Sequence, residues 1–471
     1  MFFSARRPKL PGGKQTAVMS ADEGEFTGSG GFRIDASRAL EKLAAFQLKD
    51  PNSFLLPWLR AVNTSSATRI DVRKTSYTVE VVSDGLPLSR DFLRFPFQEI
   101  FSTKDDADRR HIDAATALLT AYRLHPKLIE IISGSGQERM RLSASALGKE
   151  DVAPYSDGKS TTTLRVTWNW LQAANTGSPL RIASDSCRMM RTPIYFEGRG
   201  LKKPGEDVFP FHPFESPQCS GILRPIDPYG YHPHDRFDDS TLEVHRSGVA
   251  VFVEEGASPG SVQWTFPDAI ISGDIDAERF GLNASQSAVL NDEHLKEVMA
   301  AVGREIPELI LKAAAAHAQY PEMSAFLFTP GAKKFLEYCL DDQPGQLKYI
   351  NRDLNWIGGS RELFHQWLDW EVNVAVWLRD SASRIFAGGK TPGDSPWRQA
   401  LWTAPLYLSA TGHGISLEHI AARTEKETEI GINTFDPSSA LSEGELWAPF
   451  GPDRFLDKIF TKTQFTRLFW P

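Results

Sequence analysis

Apolar and polar residues alternate along five short segments between residues 68 and 168 of the chain. A period of two is typical of strands in a sheet that has one solvated face. Between the second and third of these segments, RRHIDAATALLTAYRL has the apolar spacing of a helix. The predicted strands are TRIDVRK, YTVEVVSDG, KLIEIISG, RMRLSAS and STTTLRVTW.

Two further helices are predicted before the first strand. IDASRALEKLAAFQ places apolar residues at helical spacing behind Asp35 or Ser37, and either residue is a suitable N-cap. Asp50 and Pro51 form a cap and first-turn pair for the next helix. Helices that cover one face of a mostly antiparallel sheet predict an α+β sandwich. The apolar residues of the second helix are Phe54, Leu55, Trp58, Leu59 and Val62.

The rest of the chain has a different pattern. Short strands such as PIYFEG and GVAVFVEE stand between Pro-rich loops and predict a middle α/β domain. A long helix is predicted after the cap signal at Asn291 and Asp292, with a kink at Pro307. PLYLSATGHGISLEHIAA is typical of a strand, a turn and a capped helix. The predicted regions are a mobile tail (1–31), an N-terminal sandwich (32–170), the middle domain (171–300) and a helical and mixed C-terminal region (301–471).

Composition is ordinary for a globular protein. The 471 residues are 41% apolar and include 52 basic and 60 acidic side chains, so the net charge is −8. This balance does not indicate a nucleic-acid surface. The three cysteines are far apart in sequence, which argues against a disulfide framework or a cysteine-built zinc site. No stretch approaches the roughly 20 apolar residues of a membrane span. We therefore expect a cytoplasmic protein that does not enter membranes.

Two segments carry a resemblance to a known family. A helix, then SSATRIDV, then a strand that ends in SDG, then a helix and paired strands follow one another over residues 33 to 170. This order resembles the GHKL superfamily of ATP-binding domains, and SSATRIDV is similar to DAGATRIDV of its MutL-type members. FGLNASQSAVLNDEHLKEVM resembles a segment of the middle domain of the 90-kDa heat-shock chaperones. Together the two segments favour the HtpG-like chaperone branch, with a GHKL-like sandwich followed by a chaperone-type middle domain.

The resemblance implies an ATP site whose key groups are missing here. In the family, one helix carries a Glu that activates water and an Asn that holds magnesium. These positions fall on Pro57 and Ala61. The adenine-binding Asp of the D-x-G-x-G loop falls on Ser83, and the second glycine of that loop falls on Pro87. Neither Pro57 nor Ala61 has a group that can perform the implied chemistry.

Two further elements of the family's reaction are absent. No glycine lies between Gly85 and Gly134, although the family's phosphate lid is rich in glycine. The phosphate-binding Arg of the middle domain falls on Gln286, which lacks the positive charge. We therefore expect a pseudo-ATPase with no catalytic residue and no cofactor. Its expected function is to bind a protein partner or client, with the 12 Trp and 29 Phe residues as a source of interface anchors; a homodimer is left open.

The main alternative is a working ATPase that uses displaced ligands for ATP and magnesium. Its candidate nucleotide-binding residues are Asp84, Gly85 and Asn63, with Glu41 as a further acid. Asn63 lies two positions beyond the expected Asn, which is about 200° around a helix, so a cap or turn role is favoured. Asp84 and Gly85 are equally typical of a turn.

Two other groups of residues have metal-binding or catalytic potential. Ser416 lies close to His413 and His419, but its position at a predicted helix start favours an N-cap. A Pro-rich loop contains several metal-capable side chains and suggests an unrelated hydrolase, with His245 as a further ligand; a solvated loop is favoured. We therefore assign no metal site from the sequence. The residues of the loop are Tyr229, Tyr231, His232, His234, Asp235, Asp238 and Asp239.

Overall fold

The chain is described here from a computed structural model. The predicted first helix falls largely outside the residues that the structure describes, as do most of the 229–239 loop and Gln286. The described residues are 39–40, 42–43, 50–101, 108–170, 173, 179–202, 210–226, 239–251, 261–283, 288–324, 366, 370–409, 411–433, 445–447 and 454–468.

Residues up to 200 form an eight-stranded sheet with the order β5-β4-β3-β6-β2-β1-β7-β8. All neighbouring strands are antiparallel except β1 and β7, which are parallel. The five predicted strands are confirmed as β1, β2, β3, β4 and β6. The strands are β1 (Ile70–Lys74), β2 (Thr78–Ser83), β3 (Leu128–Ser133), β4 (Met140–Ala144), β5 (Glu150–Pro154), β6 (Thr162–Thr167), β7 (Ile194–Phe196) and β8 (Arg199–Gly200).

Helices cover one face of this sheet and leave the other polar. Val79 and Val81 of β2 are buried, whereas Glu80 between them is half-buried on the opposite face and pairs with Arg165 at 2.6 Å. The strict alternation of the sequence therefore follows from a sheet with one dry face. The helices of this region are α1 (Leu55–Asn63), α2 (Arg90–Arg94), α3 (Arg109–Tyr122) and α4 (Pro179–Ser186).

The first sheet takes strands from both sides of the predicted boundary at residue 170. Ile70 of β1 lies opposite Ile194 of β7, and its N–H donates to the carbonyl of Pro193 at 3.0 Å. PIYFEG is therefore a strand, as predicted, but it completes the sheet of the preceding region.

A six-stranded second sheet follows, with the order β12-β11-β14-β10-β9 and with β13 paired to β11. Its core is shared with the long helix α5 (Glu293–His317), which begins after the predicted cap. Asp292 Oδ1 accepts from the N–H of Leu295 at 2.9 Å, and Pro307 lies inside the helix. The strands are β9 (His212–Glu215), β10 (Ser220–Pro225), β11 (Ser240–Arg246), β12 (Val249–Ala250), β13 (Ser261–Trp264) and β14 (Ile271–Asp276).

The C-terminal region has a five-stranded sheet, ordered β16-β15-β18-β17-β19, and several short helices. A π-helical turn, Glu371–Ala375, leads into α7. The elements are α6 (Tyr320–Ser324), α7 (Val376–Ile385), α8 (Pro396–Thr403), β15 (Tyr407–Ser409), β16 (Gly414–Ile415), α9 (Leu417–Thr424), β17 (Glu429–Asn433), β18 (Leu446–Trp447), α10 (Phe455–Ile459) and β19 (Gln464–Leu468).

The described residues thus form an α+β protein with three sheets, and the predicted fold class is confirmed at this level. Within the described ranges, no helix is both long enough and apolar enough to cross a membrane.

Candidate functional site

Helix α1 is the element on which the resemblance places the ATP chemistry. A 3-10 turn, Pro51–Phe54, leads into this helix, and Asp50 is the N-cap of that turn. The Asp50 side chain accepts a hydrogen bond from the N–H of Asn52 at 2.9 Å. Pro57 is the third residue of α1, where a missing N–H is tolerated, and both Pro57 and Ala61 are buried. The two positions that the family uses for water activation and magnesium therefore hold apolar core residues.

A small cavity lies beside α1 at the end of β2, and we call it the α1–β2 cavity. It has room for about one water molecule. Ala61 and Ser83, the positions of the family's magnesium and adenine ligands, both lie on its wall. Its polar and apolar lining includes Ala61, Ser65, Ser83, Leu86, Arg110 and Thr162.

The loop after β2 packs directly on the end of α1 and keeps this cavity small. The N–H of Leu86 donates to the carbonyl of Ser65 at 2.7 Å. A Cβ on Gly85 would lie 2.0 Å from Ser65 Oγ and 2.7 Å from the Ser65 carbonyl oxygen. Gly85 therefore serves close packing of the loop against the protein, where the family uses its glycine for close approach to a nucleotide.

Asp84 is already occupied by hydrogen bonds. Its Oδ1 accepts from the N–H groups of Thr68 and Arg69 at 2.8 and 3.0 Å, and its Oδ2 accepts from the hydroxyl of Thr68. Slight burial opposes ionisation, but these hydrogen bonds outweigh it and hold the pKa of the Asp84 carboxyl below its usual value. The carboxylate is an Asx-type clamp on the 68–69 turn and is not part of the cavity lining.

Asn63 connects α1 to two distant segments. Its Nδ2 donates to the carbonyl of Ser247 at 2.8 Å, and its Oδ1 accepts from the N–H of Thr192 at 3.2 Å. The side-chain amide thus satisfies two backbone groups with both of its ends. The predicted turn role is refined to a tether, since Thr64 is the C-cap of α1.

The turn formed by residues 246–249, between β11 and β12, docks on the N-terminal helices. Arg246 forms an ion pair with the buried Asp113 of α3, and Arg60 of α1 donates to the carbonyl of Ala250 at 3.2 Å. Arg60 is fully buried, and this burial, with the nearby Arg246, lowers its pKa to about 10. Burial raises the pKa of Asp113, although Arg246 opposes the shift.

Gly248 allows the backbone of the 246–249 turn to pack closely against the backbone at Met190. Gly248 has a φ of +75°, and a Cβ there would lie 2.5 Å from the Cα of Met190. Its N–H donates to Asp276 Oδ1 at 2.8 Å. Helix α1 therefore serves as a docking surface for the second sheet.

The other candidates from the sequence show structural roles where they are described. Ser416 caps α9, since its Oγ accepts from the N–H of His419 at 3.3 Å; His419 Nδ1 also lies 2.7 Å from that oxygen. His413 Nδ1 lies 2.7 Å from the Thr411 hydroxyl. Asp239 accepts from the hydroxyl of Thr265. Glu41, Gln286 and the other residues of the 229–239 loop lie outside the described residues.

A second polar cluster lies on the sheet of the middle region, and sequence reasoning considered only one of its members. Glu243, His245 and Asp274 each offer one ligand-type atom, and these atoms lie within 4.8 Å of one another. His245 Nε2 lies 3.1 Å from Asp274 Oδ1, and Arg224 donates to Asp274 Oδ2 at 2.8 Å. The sequence pattern that could have indicated this cluster is E-x-H at residues 243–245 and D-x-D at residues 274–276. In a strand, residues two positions apart point to the same face of the sheet.

The surroundings shift the pKa values of the two carboxyl groups of this cluster in opposite directions. Burial and the charge of Asp274 raise the pKa of Glu243. Burial also opposes ionisation of Asp274, but hydrogen bonds from His245 and Arg224 outweigh it and keep the pKa of Asp274 below its usual value. Asp274 is therefore the anion of the cluster.

No protein-family model matches the chain, and no curated protein sequence matches it either.

Proposed function

We propose that this chain is a heat-shock-chaperone-like protein with a degenerate GHKL ATPase fold, and that it binds proteins without hydrolysing ATP. The observation that carries this proposal is the α1–β2 cavity. Ala61 and Ser83, at the positions of two nucleotide ligands, line a space for about one water molecule. Sites for nucleotide-sized ligands are usually clefts of roughly 300–1,000 Å³.

The charges and hydrogen bonds near the cavity also support a non-hydrolysing protein. Pro57 and Ala61 offer neither a general base nor a magnesium ligand. For Asp84 to turn toward a nucleotide, it must give up three hydrogen bonds to residues 68 and 69. Each such bond contributes roughly 0.5–1.5 kcal/mol to stability, and more where a charged group takes part.

The alternative is an active ATPase that uses Asp84, Gly85 and Asn63 as displaced ligands. Its support is the survival of the Asp-Gly pair beside the cavity. Against it, the side-chain amide of Asn63 is used at both ends, and Gly85 is in close contact with Ser65. The variant Pro57→Glu with Ala61→Asn supplies the two missing groups. Because the asparagine would fill the cavity at residue 61, we expect no ATP turnover from this variant.

Protein binding is supported by apolar side chains next to the closed cavity. Leu86 lines the cavity and is 60% exposed, and Phe95 at the end of α2 is 62% exposed. Single exposed apolar residues are common. Leu86 lies within the loop after β2, on which the resemblance places the adenine-binding residues, and Phe95 follows that loop. We therefore assign these two side chains to contact with unfolded or partner protein.

The test is suppression of aggregation of a chemically denatured model protein. We expect the 471-residue chain to suppress aggregation equally with and without Mg-ATP. The variants Leu86→Ser and Phe95→Ser should suppress it less, whereas Leu290→Ser, at an exposed leucine of the middle region, should act as the wild type. Absence of suppression at molar excess, or suppression that requires ATP turnover, would contradict the proposal.

A further inference from the structure

We propose that Glu243, His245 and Asp274 form a binding site for a divalent transition-metal ion, with Zn²⁺ as the best fit. The site lies on the polar face of the second sheet. It is separate from the α1–β2 cavity, so the proposal stands or falls independently of the function proposed above.

Strand pairing builds this site. Strands β11 and β14 are parallel, and their register places Glu243 directly beside Asp274. His245 is two residues further along β11 and therefore points to the same face of the sheet. The two strands are neighbours within the sheet, so the backbone that carries the three side chains is rigid. A rigid backbone favours a defined coordination geometry.

The distances match those of neighbouring metal ligands. His245 Nε2 and Asp274 Oδ1 are 3.1 Å apart, and the ligand atoms of all three residues lie within 4.8 Å of one another. Nitrogen and oxygen ligands about 2.0–2.1 Å from a tetrahedral zinc ion lie roughly 3.3 Å apart.

The imidazole is the nitrogen ligand of the proposed site. His245 is fully buried, and its Nε2 is directed at Asp274. Nε2 is therefore the ring nitrogen that would face an ion between the two residues, and neutral imidazole is the commonest metal ligand.

Arg224 forms a hydrogen bond with one of the three proposed ligands. It donates to Asp274 Oδ2 at 2.8 Å, which leaves Oδ1 on the side of His245. Groups that hydrogen-bond a metal ligand fix its orientation and contribute strongly to affinity. Arg224 therefore positions the carboxylate for an ion between Asp274 and His245.

The ligand set selects the kind of metal. An imidazole with two carboxylates suits transition metals, whereas magnesium and calcium prefer oxygen ligands alone. Three protein ligands leave one tetrahedral position for water, as in catalytic zinc sites. Glu243 is only half-buried, so ion and water have access from its side.

The second His–Glu pair of the described residues offers a matched control. His212 Nε2 lies 3.0 Å from Glu305 Oε2, but Lys312 Nζ lies 2.9 Å from the other ring nitrogen. Among the described residues, this second His–Glu pair belongs to no group of three ligand residues, and an ammonium group lies at its other ring nitrogen, so it should not bind the metal. We would treat the protein with chelator, titrate it with Zn²⁺ by calorimetry, and follow thermal unfolding in parallel.

We expect one Zn²⁺ per chain, binding at least about tenfold weaker in Glu243→Gln and in His245→Gln, and unchanged binding in Glu305→Gln. Mg²⁺ in excess should not compete.

Circular dichroism of each variant verifies folding, and the half-buried Glu243 keeps the first variant interpretable if the second unfolds. Absence of saturable Zn²⁺ binding to the wild type would overturn the proposal. Equal binding by Glu243→Gln and the wild type would also overturn it, since the ion would then be held elsewhere.

Discussion

Asn63 donates from its side chain to the carbonyl of Ser247 at 2.8 Å and so joins α1 to the 246–249 turn. Helix α1 is the element that would carry the ATP chemistry in the family that the sequence resembles. Here its last residue and its buried Arg60 both contact the second sheet region instead. The polar side chains of Arg60 and Asn63 therefore serve to dock α1 on the second sheet region.

Asn63→Ala should destabilise the protein. The substitution leaves the carbonyl of Ser247 and the N–H of Thr192 without their partner, at a cost of about 1–3 kcal/mol for a buried unsatisfied group. Chemical denaturation measures the change in the free energy of unfolding. Gln399→Ala removes an exposed side-chain bond to Gly393 and should cost less than about 0.5 kcal/mol. Equal effects of the two substitutions would refute the tether role of Asn63.

Gly85→Ala and Gly303→Ala should change stability in opposite directions. At residue 85 the new methyl group collides with Ser65, so we expect a loss of about 1–3 kcal/mol. Gly303 lies inside helix α5 and the nearest atom to its new methyl group is 3.6 Å away, in Phe266. Alanine should therefore stabilise that helix by about 0.5–1 kcal/mol. Thermal unfolding of both variants checks the signs, and a neutral Gly85→Ala would show that the loop after β2 is loose.

Arg246→Ala should be destabilising because it removes the ion-pair partner of the buried Asp113, although Arg60 and Arg109 remain as nearby positive charges. The expected cost is about 1–3 kcal/mol. Adding Asp113→Ala removes the carboxylate that has lost this partner, so the double variant should be less destabilised than the sum of the single variants. A double-mutant cycle measures this coupling. Additive effects would mean that the 246–249 turn docks without the ion pair.

His317 at the end of α5 should contribute a pH dependence. Its Nδ1 accepts from the indole N–H of Trp370 at 2.9 Å, its Nε2 lies 3.2 Å from the carbonyl oxygen of Pro405, and burial lowers its pKa from 6.5 to about 3. Between these values the unfolded chain binds a proton that the folded chain does not. The free energy of unfolding therefore falls by about 1.4 kcal/mol per pH unit as the pH decreases below 6.5, and this loss ends near pH 3.

The measurement is denaturant unfolding of the wild type and of His317→Gln at about pH 7 and about pH 5.5. Other groups titrate equally in both proteins, so the difference between the two slopes isolates residue 317. The variant should show the shallower dependence. Identical slopes would mean that the imidazole binds a proton in the folded protein.

Local features of the fold were predictable from the sequence. The alternation of apolar and polar residues predicted the inner strands of the first sheet. Cap residues such as Asp292 and Ser416 indicated where helices begin. Strand β5 (Glu150–Pro154) was missed because EDVAP at the sheet edge has no buried residue and therefore no alternation of apolar positions. Strand β7 was predicted, but its parallel pairing with β1 depends on contacts between distant segments that no local pattern records.

The candidate site was predictable only in part. That Pro57 and Ala61 offer no group for ATP chemistry, at the positions on which the resemblance places it, followed from residue types alone. The use of Asn63 did not, because its partner Ser247 lies 184 positions away. Likewise, His245 and Asp274 are 29 positions apart, and only the register of two parallel strands brings them together.

Calorimetric titration of the 471-residue chain with Mg-ATP, with thermal unfolding in parallel, tests the central claim most directly. A ligand that binds the folded state must raise its apparent stability. Because the α1–β2 cavity has room for only about one water molecule, we expect no saturable heat and no rise in the unfolding temperature. Saturable binding that is lost in Asp84→Asn would contradict the account and establish a nucleotide site built from displaced ligands.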